Sequence, residues 1–288
     1  MTEPIGIAGA GRVAQAIGRL LLECGFPVNC IASRDPKQAF AAATFIGGDV
    51  RPVGYREIAL HARRILIAVP DCAVTNVSNL IADAGIRGGI ALHTCGTQGP
   101  DALRRLMEHG VSCGTIHPLQ TIVNAEQGIG ALLGCAFAVD GDGPAIRWAE
   151  EIAAKFEGEV LHIPQELRPL YHAGAVMASN YLVGLVDAAQ HLMEMAGVGR
   201  EGSLRALAPL LRATLENILR QGPAAALTGP IERGDTETVA AHLRALSTAP
   251  EQIQHLYRAA GLEVLQMALD RGLAAAPASS IERELRGN

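Results

Sequence analysis

The stretch Ile5-Gly-Ile-Ala-Gly9-Ala-Gly11-Arg-Val-Ala14-Gln-Ala-Ile-Gly18 decides the fold. A short β-type apolar run, Ile5 to Ala8, leads straight into G-x-G-x-x-A, and the apolar residues beyond it recur at helical spacing. In that context Gly9 permits the tight strand-to-helix turn and Gly11 lets the backbone approach a pyrophosphate. Ala14 takes the third glycine's place, where helix and strand pack closely. The helix N-terminus offers unpaired N–H groups and the positive end of its dipole to an anion. The spacing therefore predicts a dinucleotide turn built from Gly9, Ala10, Gly11, Arg12 and Val13.

Six further β-type runs follow: Val28 to Ala32, Ile65 to Val69, Gly89 to His93, Val111 to Ile116, Ala136 to Val139 and Val160 to Ile163. They alternate with helical patterns, which predicts a parallel sheet covered on both faces. Beyond Pro164 Leu, Ala and Met recur at helical spacing, and no strand is expected. One helix is predicted over about 167–196, ending at Gly197, and a second over 201–220. A third is N-capped by Asp235 and a fourth runs from Pro250 to Gly272, while 274–280 reads as a loop before a last turn at 281–286. The fold class is α/β: a Rossmann domain over 1–163 followed by an all-helical domain over 164–288.

At 288 residues the chain has room for about two domains of the usual ~150 residues. A net charge of -5 supplies no global field for a polyanion, which argues against nucleic-acid or anionic-membrane partners. The most apolar stretch, 173–195, is interrupted by Asn180, Asp187, His191 and Glu194, so no spanning helix is expected. Six scattered cysteines without a CxxC pair, and an N-terminus lacking an apolar signal core, predict a cytoplasmic protein with reduced thiols.

The end of the second strand discriminates between cofactors. NAD binders place a carboxylate there for the ribose 2'-hydroxyl, and NADP binders a cation. The chain has Ser33 at the usual acidic position, and Arg34 beside it can fork onto a 2'-phosphate, which favours NADP(H). Asp35, directly before Pro36, reads as a helix N-cap. Val69-Pro70-Asp71 follows a strand at the carboxyl edge, where ligands of open α/β sheets bind; Asp71 fits either a nicotinamide-ribose contact or a simple helix start.

The whole chain resembles a family of oxidoreductase-like proteins that join a Rossmann domain to a helical domain of unknown function. That family lies within the group containing ketopantoate and pyrroline-5-carboxylate reductases, whose helical half is of the 6-phosphogluconate dehydrogenase C-terminal type. The resemblance is carried by Gly9-Ala-Gly-Arg-Val, Ile67-Ala-Val-Pro-Asp71, His93-Thr-Cys-Gly96, Ile116-His-Pro-Leu-Gln-Thr121, Tyr171-His-Ala-Gly with Ala178-Ser-Asn180, and Leu227-Thr-Gly-Pro-Ile-Glu-Arg-Gly-Asp235. The family usually has Ser where this chain has Cys95, a position on the cofactor side. Ketopantoate reductases carry a catalytic Lys on the corresponding helix, with an Asn eight residues later; His172 and Asn180 stand at those places. Thr228-Gly-Pro230 resembles the segment with which pyrroline-5-carboxylate reductases hold a substrate carboxylate, with Thr228 and the Gly229 N–H as donors and Arg233 as counter-charge.

His93, Cys95, Cys113 and His117 invite a metal reading, but His93-x-Cys95 and Cys113-x3-His117 are not zinc spacings, and no metal is expected. His117 lies just past a strand end with Gln120 nearby, so both are either site residues or loop contacts. His172, Ser179 and Asn180 share one face of an otherwise apolar helix. They read either as hydrogen-bonding partners of neighbouring helices or as a catalytic stripe in which His172 donates a proton. The combined expectation is an NADP-dependent reductase acting on a C=O or C=N bond of a small carboxylate-bearing compound in the cleft between the domains. A ketopantoate-like 2-oxo acid is favoured; the alternatives are a pyrroline-5-carboxylate-type imine, or a non-catalytic NADP(H)-binding regulatory protein. Apolar stripes at Leu204, Leu207, Leu211, Leu215 and Ile218, and at Ile253, Leu256, Ala260 and Val264, predict a homodimer through the helical domain.

Overall fold

A computed structural model describes residues 3–287, and these form two compact units, one ending at Ser179 and the other beginning at Asn180. The first unit is built on eight strands: β1 (Ile5–Ala8), β2 (Val28–Ala32), β3 (Arg51–Val53), β4 (Arg64–Ile67), β5 (Ile90–His93), β6 (Ser112–Pro118), β7 (Ala136–Gly141) and β8 (Glu159–His162). Their order across the sheet is β3-β2-β1-β4-β5-β6-β7-β8. β3 is absent from the sequence reading because it is a three-residue edge strand with Arg51 and Pro52, which carries no alternation. The expected all-parallel sheet is corrected at one place: β7 runs antiparallel to β6, and β8 is parallel to β7.

Eight helices belong to this unit: α1 (Arg12–Glu23), α2 (Pro36–Ile46), α3 (Ile58–His61), α4 (Val74–Asp83), α5 (Arg104–Met107), α6 (Ala125–Leu132), α7 (Gly143–Lys155) and α8 (Arg168–Val176). The antiparallel step at β7 follows from α6, which packs on α1 instead of crossing over the β6–β7 pair. Successive strand residues point to opposite faces, and both faces are covered. Ile5, Ile7 and Leu66 enter one core with α1 and α7, while Ala8, Ile65 and Ile67 enter the other with α4. α1 approaches the sheet closely at Ala14, which is fully buried, and at Gly18. A Cβ on Gly18 would stand 2.5 Å from Ile46 Cδ1 and 2.7 Å from Ile7 Cδ1.

The division at 179/180 differs from the expected 163/164 boundary. Strands do end at His162, but α8 is tied to the sheet by the buried side chain of Arg168 and so belongs with the first unit. The single helix expected over 167–196 is also interrupted, because Met177–Tyr181 is π-helical.

The second unit contains α9 (Leu182–Met195), α10 (Arg200–Ala226), α11 (Thr236–Leu246), α12 (Glu251–Asp270) and α13 (Ala275–Arg286), with α10 kinked at Gly222, whose φ is 81°. Asp235 N-caps α11 as expected, accepting from the Thr238 N–H at 3.0 Å. The loop expected over 274–280 is corrected to the first half of α13. Pro277 lies in the first turn, where its missing N–H costs nothing, and Ala278, Ile281 and Leu285 form a buried face at helical spacing. These three join Ile231, Val239, Leu265 and Ala268 in the core of the unit. Ile281→Ala is therefore expected to destabilise the protein by ~2–5 kcal/mol, the range for truncating a buried aliphatic side chain, read as a lowered urea midpoint. An unchanged midpoint would return 274–286 to a peripheral tail.

Candidate functional site

The carboxyl ends of β1, β2, β4, β5 and β6 lie along one edge of the sheet. At the first of them Gly9 has φ +126°, its N–H donates to Ala32 O at 2.8 Å, and a Cβ there would stand 2.1 Å from Ala68 O. Only glycine fits where the three strand ends meet. Gly11 caps α1 with extended backbone and no side-chain capping bond, and nothing lies within 4 Å of where its Cβ would be. The N-terminus of α1 thus faces open space with donors unclaimed by any side chain. Around it, Ala10 O accepts from Gln15 Nε2, Val13 packs on the core, and the exposed Arg12 donates to Val123 O at 3.3 Å.

At the end of β2, Ser33 Oγ accepts from the Asp35 N–H, and Asp35 caps α2 by accepting from Lys37 N–H at 2.9 Å, which settles Asp35 as an N-cap. Arg34 is exposed beside them, with its backbone hydrogen-bonded to the Tyr55 hydroxyl. After β4, half-buried Val69 leads to Pro70, which opens a single 3-10 turn, Asp71–Ala73. The Asp71 carboxylate accepts from Thr97 Oγ1 at 3.3 Å and its carbonyl from Gln98 Nε2, so Asp71 joins the β4 and β5 turns.

Past β5 and β6 the structure assembles a cluster that the sequence showed only in part. His117, at the end of β6, is hydrogen-bonded through Nδ1 to the Tyr171 hydroxyl at 3.0 Å, and its ring packs edge-on against His172, 5.9 Å between centroids. Gly96 lies against both imidazoles: a Cβ there would stand 2.7 Å from His172 Nδ1 and 2.8 Å from His117 Nε2. His172 Nδ1 is buried without a hydrogen-bond partner. Arg168, one helical turn before Tyr171, has a wholly buried side chain; it donates to Cys95 O and Thr115 Oγ1, and its Nε has no partner.

Burial, with the neighbouring His172 and Arg168, holds the His117 pKa down at about 4. Burial pushes Tyr171 up to about 12, against the pull of Arg168. Near neutral pH the imidazole of His117 is therefore uncharged and the phenol keeps its proton.

His93 is buried with both ring nitrogens engaged: Nδ1 accepts from Cys95 N–H at 3.2 Å, and Nε2 lies 3.0 Å from Gly99 O. Cys95 is buried in the core just past the end of β5, and its thiol meets Thr97 Oγ1 at 3.3 Å. Cys113 is likewise buried. Among the described residues no group of three or more His, Cys, Asp or Glu is arranged to hold a metal ion. Gln120 is occupied by its own loop, donating to Ala131 O and accepting from Thr121 N–H, so its amide does not join the cluster. Ser179 and Asn180 lie in the π-helical stretch, and this departs from the regular helical period that put them on one face with His172.

In the second unit Thr228 is exposed, Gly229 has φ +109°, and exposed Arg233 closes the turn through its N–H to Gly229 O. Arg271 pins that loop by donating to Leu227 O at 2.9 Å and pairing with Glu232. Arg168 went unremarked in the sequence, while Tyr171 and Gly96 entered only as members of quoted motifs and without a role. The available signal was the i, i+3, i+4 spacing of Arg168, Tyr171 and His172 on one helix face.

Residues 2–118 match the family model of a Rossmann-like domain, and residues 135–264 match a domain of unknown function, DUF2520. The two matched stretches, each under half of the chain, follow one another in that order. No curated protein matches it. Among solved structures it is similar to a Bacteroides fragilis protein named as a candidate NADP oxidoreductase: 21% identity, TM-score 0.73, covering 93% of this chain and 98% of the other. A Thermotoga maritima protein matches at 22% identity and TM-score 0.73, over 93% of this chain and 99% of that one. The Plasmodium falciparum pyrroline carboxylate reductase with NADP bound matches at 13% identity and TM-score 0.59, covering 98% of each chain. These likenesses establish the fold. No helix among the described residues is long and apolar enough to cross a membrane.

The depressed histidines make stability depend on pH. His93 and His117 have folded values of about 4 against 6.5 for the free side chain, so between those limits the unfolded state binds more protons. Stability from burying them neutral is fully present above about pH 6.5 and is lost as pH falls toward 4. The urea midpoint should rise with pH through that window, and His117→Gln should make the rise shallower. A wild-type midpoint flat across the window would contradict the burial of neutral imidazoles.

Proposed function

We propose that the protein is an NADP(H)-dependent oxidoreductase that reduces a C=O or C=N bond of a small carboxylate-bearing compound. The observation that carries this reading is the open, uncapped N-terminus of α1 beyond a Gly9 turn that admits only glycine, with Arg34 exposed at the end of β2. The Gly11 to Val13 N–H groups would hold the pyrophosphate, and Arg34 the 2'-phosphate. When bound, the reduced nicotinamide would supply a hydride. Of this chain's own residues, His172 and His117 are suited to bind and protonate the reacting atom, since both face one glycine surface near the carboxyl edge. Thr228, Gly229 and Arg233 carry donors and a cation suited to a carboxylate. The Plasmodium reductase, with NADP bound in the same fold, supports the cofactor class. A ketopantoate-like 2-oxo acid remains the favoured substrate, and a cyclic imine the second reading.

The test is NADPH oxidation against a panel of 2-oxo acids and cyclic imines, with the product identified by mass. Wild-type protein should bind NADPH more tightly than NADH, and Arg34→Ala should cost NADPH ~1.5–3 kcal/mol while leaving NADH nearly unaffected. Equal losses for both would remove Arg34 from the cofactor site, and no binding of either would end the reductase reading.

We further propose that the helical unit pairs two copies of the chain. α9 has no buried residue and α10 only Ser203, while Leu182, Val183, Leu185, Leu204, Leu210 and Leu219 are exposed. So much apolar helix surface in one small unit suits symmetric pairing. Light scattering at micromolar concentration should give twice the 30.1 kDa chain mass; the monomer mass would refute it.

A further inference from the structure

Resting on the reductase reading, we propose that Tyr171 and His117 form a proton relay, and that His117 Nε2 and His172 Nδ1 together hold one oxygen of the substrate. The compound reduced is then an oxo compound and the product an alcohol. The first support is the convergence on Gly96. His172 Nδ1 and His117 Nε2 lie 2.7 Å and 2.8 Å from the point where a Gly96 Cβ would stand. The separation of the two nitrogens cannot exceed the sum of those distances, which is less than two ordinary N···O hydrogen bonds of ~2.9 Å laid end to end. One oxygen can therefore bond to both. The second support is the state of those nitrogens: His172 Nδ1 is buried without a partner, and buried polar atoms are rarely left so. An oxygen brought in from outside completes it.

The third support is the hydrogen bond between His117 Nδ1 and the Tyr171 hydroxyl. With the phenol donating to Nδ1, the imidazole proton resides on Nε2, and His117 presents a donor to the oxygen. A neutral imidazole is a poor acid on its own, because losing its only N–H would leave an imidazolate. Tyr171 removes that obstacle.

A bound reduced nicotinamide would supply the hydride for the new C–H bond at the carbonyl carbon, and would be oxidised as the carbonyl is reduced. The C=O π pair moves onto oxygen, which takes the proton from His117 Nε2 as Nδ1 takes the proton of Tyr171. His117 ends neutral in its other tautomer and Tyr171 ends as phenolate, to be reprotonated from water. The buried guanidinium of Arg168, on the same helix face one turn earlier, stabilises that phenolate. The charged and titratable groups acting on His117 are Arg168 and His172 on α8, His93 on β5 and Asp71 after β4. An iminium makes less use of this arrangement, because it already carries its proton and hydride addition turns its nitrogen directly into a neutral amine.

The relay is tested without any substrate by nitrogen-15 NMR of the full-length protein labelled at histidine, with His117 assigned through His117→Gln. The expected result is the Nε2–H tautomer in the wild type and its loss to a mixture in the near-isosteric Tyr171→Phe. His117 in the Nδ1–H tautomer, or no change in Tyr171→Phe, overturns the relay whether or not NADPH binds. In turnover, Tyr171→Phe should lower kcat ~10²-fold or more with NADPH affinity unchanged, the usual weight of a general acid. Gly96→Ala, which forces the imidazoles apart, should lower kcat with the same unchanged affinity. Turnover of imines but not of oxo compounds overturns the oxygen site. Failure of NADPH to bind overturns the reductase reading instead, and leaves the tautomer result to decide the relay.

Discussion

The guanidinium of Arg168 is wholly buried, and it is held by a backbone carbonyl and a hydroxyl instead of a carboxylate. Taking an ion out of water costs several kcal/mol, and these neutral partners repay it incompletely, since Nε has none. What the interaction accomplishes is placement. Its acceptors are Cys95 O, in the turn after β5, and Thr115 Oγ1, in the middle of β6, so one side chain ties the first turn of α8 to two adjacent strands. Tyr171 and His172, three and four residues later, are carried by the same turn to the strand ends. Burial also pulls the Arg168 pKa down, although its ordinary value leaves ample margin for it to stay charged.

The reversal of β7 makes this placement possible. Because β7 runs antiparallel to β6 and β8 follows β7, the chain leaves β8 beside the amino half of β6, where Gln165 Nε2 donates to Asp101. α8 then runs in the same sense as β6. Arg168 is level with Thr115 and Tyr171 with His117: three helical residues rise about 4.5 Å, and two strand residues advance about 6.6 Å. A parallel β7 would have released the chain at the carboxyl edge and sent α8 the other way.

That reversal was not legible in the sequence, and the reason is physical. β7 and β8 are short apolar runs whose composition is the same in either direction, and their sense is set by α6 packing on α1, a contact between residues more than a hundred positions apart. The dinucleotide turn was legible because each of its steps is local: the strand, the two glycines and the helix lie within one stretch. Asp35 and Asp235 were legible as caps for the same reason. α13 was misread because Ala-Ala-Pro-Ala-Ser-Ser lacks a strong apolar period, and its helix is fixed by the burial of Ala278, Ile281 and Leu285. At the site, His117 and His172 stood out as isolated polar residues in apolar surroundings. Arg168 and Tyr171 did not, since an arginine and a tyrosine beside a proline read as surface until the strand that covers them is in place.

The same electrostatics bear on why an imidazole occupies position 172, where the resemblance to ketopantoate reductases would put a lysine. The cluster already contains one permanent buried cation, and that charge acts on His117. A lysine ammonium against Gly96 would add a second fixed positive charge with no carboxylate at ion-pair distance from Arg168, and its desolvation would have to be met by the substrate alone. An imidazole places a hydrogen-bonding nitrogen in the same position, and its Nδ1 is buried there without a partner. In the proposed relay the proton that His117 delivers is replaced from the phenol of Tyr171, which keeps its proton at neutral pH and feels the pull of the Arg168 guanidinium. The fixed positive charge therefore stands behind the proton donor of that relay and not on it.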